Sequence, residues 1–110
     1  MYPRIVLTSG EPAGIGVDLC VQLAQQSHPC QIVVVADPNV LLQRAQQLGL
    51  AVNITLFDRQ KPPVAQLAGQ LSVLPCKVRD KVIAGQLNVA NSAYVLDMLD
   101  KATQACIDGT

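Results

Sequence analysis

The chain has 110 residues, half of them hydrophobic and 15% charged, with eight basic side chains balanced by eight acidic ones. That length and composition suit one modest folded domain and exclude a disordered segment. With no net charge, 3% aromatic residues and no tryptophan, the sequence encodes neither the basic face nor the stacking platform that a nucleic-acid partner needs.

No secretion signal is expected, because Met1-Tyr2-Pro3-Arg4 leads straight into a strand-like run. The longest apolar stretches, such as residues 32–36, are too short to cross a bilayer. The expected setting is cytoplasmic, with no membrane and no nucleic-acid partner. Cysteines stand at 20, 30, 76 and 106 without a Cys-x-x-Cys pair. They are expected to be reduced thiols that act as small buried hydrophobes.

In chain order, residues 4–7 form a short β run ending at Thr8. A turn follows, Thr8-Ser9-Gly10-Glu11-Pro12-Ala13-Gly14-Ile15-Gly16-Val17-Asp18, whose glycines and proline mark a strand-to-helix connection with special backbone demands. Pro12 suits the first helical position and Glu11 the positive end of the macrodipole. The helix carries Ile15, Leu19, Leu23 and Ala24 as an apolar stripe, and Ser27-His28-Pro29 ends it. Residues 31–36, Gln-Ile-Val-Val-Val-Ala, read as a strand buried on both faces. Asp37 and Pro38 then start a second helix as N-cap and first residue. Val40, Leu41, Arg44, Ala45 and Leu48 continue it, and Gly49 stops it.

Residues 52–57 make a third strand candidate. The pattern loosens from Asp58 to Gly69 around Pro62-Pro63, a surface connection. Residues 70–74 suggest another short strand closed by Pro75, whereas residues 77–86 fit no element. Asn88 begins the last helix, with Val89, Ala93, Leu96, Leu99 and Cys106 on one side and Asp97 and Lys101 one turn apart on another. Alternating strands and helices imply an α/β domain with a parallel or mostly parallel sheet flanked by helices and no internal boundary. Ligands of such sheets bind beyond the carboxyl ends of the strands, where the Gly10 to Gly16 turn lies.

Uncovered backbone N–H groups at such a turn form an anion site, and a purely conformational need for glycine explains the same residues. The dinucleotide fingerprint fails, because Leu19 stands where a third small residue is required after Gly14 and Gly16. Asp37 lies near the place of a ribose-binding acid but is more simply an N-cap. The phosphate loop of nucleoside triphosphatases fails too, for no Gly-Lys-Ser or Gly-Lys-Thr is present. His28, the sole histidine, gives with Cys30 far fewer ligands than a zinc site needs, and reads as a loop residue. Ser9 has no histidine base within local reach, and the spacing of Glu11 and Asp18 establishes no acid–base pair.

The string Gly10-Glu11-Pro12-Ala13-Gly14-Ile15-Gly16, with Thr8, Ser9, Val17 and Asp18 around it, resembles the N-terminal signature of the 4-hydroxythreonine-4-phosphate dehydrogenase family. The likeness extends through Val33-Val34-Val35-Ala36-Asp37 and Gly85-Gln86-Leu87 to the last helix. One departure is Val17, where the family usually has proline. The resemblance implies a two-domain fold like isocitrate and isopropylmalate dehydrogenases, which lacks the dinucleotide fingerprint. It also implies NAD(P)-linked oxidation of 4-hydroxythreonine 4-phosphate. The β-keto acid formed then decarboxylates on the route to pyridoxal 5′-phosphate (vitamin B6).

The implied cofactors are NAD(P) and a divalent metal ion (Zn, Mg or Co), and the implied assembly is a homodimer. The family is much longer than this chain, which corresponds to its N-terminal part. Its metal histidines have no counterpart here, so no catalytic or metal residue is assigned, and the isolated 110-residue chain is expected to be inactive. Gly10, Glu11, Gly14 and Gly16 are the candidate cofactor- or substrate-binding residues. The alternatives are a related dehydrogenase of four-carbon phosphorylated sugar acids and a non-catalytic anion-binding or interaction module.

Overall fold

The computed structural model describes residues 2–10, 12–77 and 91–108. Four parallel strands form one sheet in the order β1-β2-β4-β3. These are β1 (Arg4–Thr8), β2 (Gln31–Ala36), β3 (Asn53–Leu56) and β4 (Gln70–Pro75). Helices α1 (Ile15–Leu23), α2 (Pro38–Leu48) and α3 (Ser92–Ile107) complete the described elements. The α/β class, the parallel sheet and each described strand expected from the sequence are therefore present.

The β2 run is buried at every position, as its unbroken β-branched sequence requires for a strand covered on both faces. Ile32, Val34 and Ala36 point into a core shared with Val17, Cys20 and Val21 of α1, Val40, Leu41 and Ala45 of α2, and Leu71 and Val73 of β4. Val35 points the other way, toward Tyr94, Met98 and Ala102 of α3 and toward Cys76. Helices α1 and α2 thus share one face, and α3 covers the other.

Helix α2 follows its sequence signals. Asp37 is an extended N-cap whose carboxylate accepts the Asn39 N–H at 2.9 Å, Pro38 opens the helix, and Gly49 ends it at φ +69°. Helix α1 departs from them. Pro12 does not begin it; Gly14 is the N-cap, extended at ψ −176°, and the helix starts at Ile15. The helix also stops at Leu23, short of Ser27-His28-Pro29, because the returning connection docks on its end. There the Gly69 N–H donates to the Ala24 carbonyl at 2.7 Å, and the Ala68 N–H donates to Ser27 Oγ at 3.1 Å.

The expected α1 stripe is only half right, and the α3 stripe faces the wrong way. In α1, Ala24 is buried and Leu23 packs partly buried on the core as expected, but Ile15 and Leu19 are 75% and 58% exposed, and Val17, Cys20 and Val21 complete the buried side. In α3, Ala93, Leu96, Leu99 and Cys106 are exposed and the buried residues are Tyr94, Met98 and Ala102. Each helix offers two apolar stripes, and the sheet takes the one whose side chains fit its surface. Cys106 therefore is not a buried hydrophobe, and Cys30 is only half-buried, whereas Cys20 and Cys76 are buried as expected. Asn88, Val89 and the Gly85-Gln86-Leu87 stretch lie outside the described residues.

Candidate functional site

The glycine-rich turn leaves β1 at the carboxyl edge of the sheet, and each described glycine there answers a different physical need. Gly10 has φ +72°, a left-handed conformation that favours glycine. Gly14 supplies the extended N-cap of α1, with no side-chain cap on the helix. Gly16 lies so close to the carbonyl of Ser9 that a Cβ would collide with it. Gly16 thus permits the close approach of helix to strand. Leu19 is 58% exposed. Glu11 lies outside the described residues.

The turn is held from two sides. From the side of α2, the buried Arg44 donates to the carbonyls of Pro12 and Gly14 at 3.0 and 3.1 Å and to Asp18 Oδ1 at 2.6 Å. A cation on the buried face of a helix needs such acceptors, because burying it unpaired would cost several kcal/mol. From the α3 side, Met98 Sδ accepts the Gly10 N–H at 3.3 Å and the Ser9 hydroxyl at 3.7 Å. The Gly10 N–H, a candidate ligand donor, is thus already engaged by a thioether. The hydroxyl of Tyr94 accepts the Asp37 N–H at 2.9 Å, and its pKa is raised from the ordinary 10.0 chiefly by burial. One helix therefore fastens the ends of β1 and β2 together.

Among the described residues, this arrangement assembles no nucleophile and base. Ser9 is buried against Met98, Asp18 is paired with Arg44, and Asp37 caps α2. His28 is far from the turn in the topology, in a bridge to Gln66 in which its N–H donates to the Gln66 carbonyl at 3.0 Å; its Nε2 is buried without a hydrogen-bond partner. Among the described residues there is no group of three His, Cys, Asp or Glu side chains able to hold a metal ion. The metal ligands that the sequence resemblance implies are expected outside this chain.

A groove of about 470 Å³ opens beside the turn, between β1 and α1, lined by Leu7, Thr8, Gly16, Leu19, Cys20 and Leu23 among others. Its walls are mainly apolar, and burial pushes the Cys20 thiol up to about 11. Among the described helices, none is long and apolar enough to cross a membrane.

Sequence reasoning singled out the glycines but missed Arg44, Tyr94 and Met98, which determine how the turn is held. Arg44 did carry a signal, for it interrupts the apolar side of α2 between Leu41 and Ala45. Tyr94 and Met98 carried none, since local periodicity favoured the other face of their helix.

The family described as Pyridoxal phosphate biosynthetic protein PdxA matches residues 28–110. The chain belongs to the PdxA family. Among curated relatives, the 4-hydroxythreonine-4-phosphate dehydrogenases of Yersinia enterocolitica and Serratia proteamaculans are 52% and 50% identical to it over 106 residues. Those alignments take in 96% of this chain, the whole glycine-rich turn included, but 32% of each relative. The chain thus spans about a third of the length of these PdxA relatives. The fold agrees as well. A crystal structure of a 4-hydroxythreonine-4-phosphate dehydrogenase from Burkholderia phymatum matches with a TM-score of 0.81 at 20% identity, covering 99% of this chain and 34% of that one. A second, from Klebsiella pneumoniae, gives 0.81 at 17% identity with the same coverage.

Proposed function

We propose that this PdxA-family chain is the N-terminal α/β portion of a dehydrogenase that oxidises 4-hydroxythreonine 4-phosphate with NAD(P) on the route to pyridoxal 5′-phosphate. The observation that carries the reading is the 52% identity, spread over 96% of the chain, to a protein named for that activity. The fold is consistent with it, matching a crystal structure of a 4-hydroxythreonine-4-phosphate dehydrogenase with a TM-score of 0.81.

In this reading the Gly10 to Gly16 turn, with Glu11, lies at the cleft and faces the phosphorylated substrate or the nucleotide. The chain's own contribution is positional. Gly16 brings α1 against β1, Gly14 leaves the helix start without a side-chain cap, and Arg44 holds the turn from behind. The divalent metal and the residues that hold it belong to the other two thirds of such an enzyme. A cytoplasmic homodimer is the assembly consistent with the family resemblance.

The test has two arms. The 110-residue protein, given 4-hydroxythreonine 4-phosphate, NAD(P) and a divalent metal, is expected to form no NAD(P)H. A chimera that continues this chain into the remaining two thirds of the Yersinia enterocolitica relative is expected to turn over. A folded, dimeric chimera without activity would overturn the reading, as would clear turnover by the short chain alone.

A further inference from the structure

Strand β1 stands at one edge of the sheet and, among the described residues, pairs only with β2. The Gln31 N–H donates to the Pro3 carbonyl at 2.8 Å, which sets the phase of the parallel ladder. Residues 3, 5 and 7 bond to β2 in that phase, so the N–H and C=O groups of Arg4, Val6 and Thr8 face outward. Folded chains commonly blunt such an edge with an outward lysine, a proline or a bulge. Here the register with β2 runs unbroken from Arg4 to Thr8, and Pro3 lies in the inward phase. The one charge on the strand is turned in over the sheet. Arg4 Nε donates to Gln31 Oε1 at 2.6 Å, its Nη2 donates to the Lys61 carbonyl at 2.8 Å, and its guanidinium lies 4.8 Å from the Phe57 ring centre.

The surface beside this edge is apolar. Alternation puts Ile5 and Leu7 on the face of the sheet that carries α1, where Leu7 packs partly buried against the core. Ile5 is 47% exposed at the rim, and Leu19 is exposed on the helix opposite. Between strand and helix runs the groove of about 470 Å³, and none of its lining residues is charged. An open ladder and an uncharged groove thus lie side by side.

The edge is also complementary to itself. In an antiparallel pair centred on Val6, Ile5 falls opposite Leu7, and Arg4 opposite Thr8. The outward groups of Arg4, Val6 and Thr8 then sit at the hydrogen-bonded positions of the new ladder, so each meets a partner. Ile5 and Leu7 of the two copies stack beside the grooves and cover them. No like charges are brought opposite each other. Such a contact is isologous and closes at two copies, leaving no free β1 edge.

We propose that the outer edge of β1, with the groove it shares with α1, is a self-association surface on which a second copy of this chain pairs β1 to β1, antiparallel about Val6. The proposal concerns the 110-residue chain and does not depend on the dehydrogenase reading.

The test uses that chain. Its mass in solution and its amide hydrogen exchange are followed between about 1 and 100 µM for wild type, I5K and L56K. Wild type is expected to pass from monomer to dimer. The amides of Arg4, Val6 and Thr8 should slow by about tenfold or more as it does so, while those of Ile5 and Leu7, bonded to β2, should not depend on concentration. I5K sets a charge against Leu7 of the second copy and is expected to weaken the dimer by about tenfold or more. L56K puts the same charge on β3 at the other edge, where Leu56 is 63% exposed, and should dimerise like wild type. Should I5K fail to fold, L19K, on the helical wall of the groove, takes its place under the same criterion.

A wild-type protein that stays monomeric throughout would overturn the proposal. So would a dimer that I5K leaves intact or L56K disrupts, since the contact would then lie elsewhere. Slow exchange at Arg4, Val6 and Thr8 that persists in the monomer would overturn it too, because another segment of the same chain would hold the edge.

Discussion

The carbonyl oxygen of Ser9 occupies the space that a side chain on residue 16 would need. The contact joins the end of β1 to the first turn of α1 and permits their close packing. Ser9 cannot retreat easily, because it is buried and its hydroxyl is bonded to Met98. Gly16→Ala should accordingly destabilise the fold by about 1–3 kcal/mol through overpacking. Gly49→Ala, in open space at φ +69°, should cost about 1 kcal/mol. Thermal melting of the two variants checks the order, and a milder effect at residue 16 would contradict it.

Tyr94 reaches from α3 to the end of β2, where its hydroxyl accepts the Asp37 N–H at 2.9 Å in a buried setting. Tyr94→Phe removes that acceptor and keeps the ring. A loss of about 1–3 kcal/mol is expected, the cost of a buried donor left without its partner. Amide hydrogen exchange at Asp37 should accelerate in the same variant. Unchanged exchange and stability would show that the bond contributes little.

Stripe orientation can be tested by paired truncations. Val21→Ala and Met98→Ala remove fully buried side chains and should cost about 1–5 kcal/mol. Leu19→Ala and Leu96→Ala remove side chains that are 58% and 68% exposed, and should stay within about 0.5 kcal/mol of wild type. Urea midpoints in the reverse order would return the helices to the orientation expected from periodicity alone.

Thiol chemistry should follow burial. At pH 8 the exposed Cys106 should react first with a disulfide reagent, and buried Cys20 and Cys76 last, until denaturant equalises them. Burial raises the Cys20 thiol from 9.0 to about 11, so above pH 9 the unfolded chain loses a proton that the native chain keeps. Stability is therefore expected to be flat in this group below pH 9 and to fall as the pH rises toward 11. The Tyr94 hydroxyl, raised mainly by burial, acts in the same direction. Urea midpoints that do not drop between pH 8.5 and 10.5 would contradict both.

Local sequence by itself determined the elements whose signals act within a few residues. The β-branched run at 31–36 demanded a strand buried on both faces, and Asp37, Pro38 and Gly49 bounded α2 through caps that need no distant partner. The glycine string also pointed to the family, because so specific a run of residues has few other uses. Only the tertiary structure decided what the string is held by and which faces of α1 and α3 are buried. Ile15 and Leu19 lie outward because the sheet had a second stripe to choose, and periodicity cannot weigh one apolar stripe against another. Pro12 lies before the helix start, and its carbonyl is bound by Arg44, thirty-two positions later. Met98 meets Gly10 across eighty-eight positions. Contacts of that span arise from the packing of α2 and α3 against the sheet, and no local pattern in a single sequence encodes them.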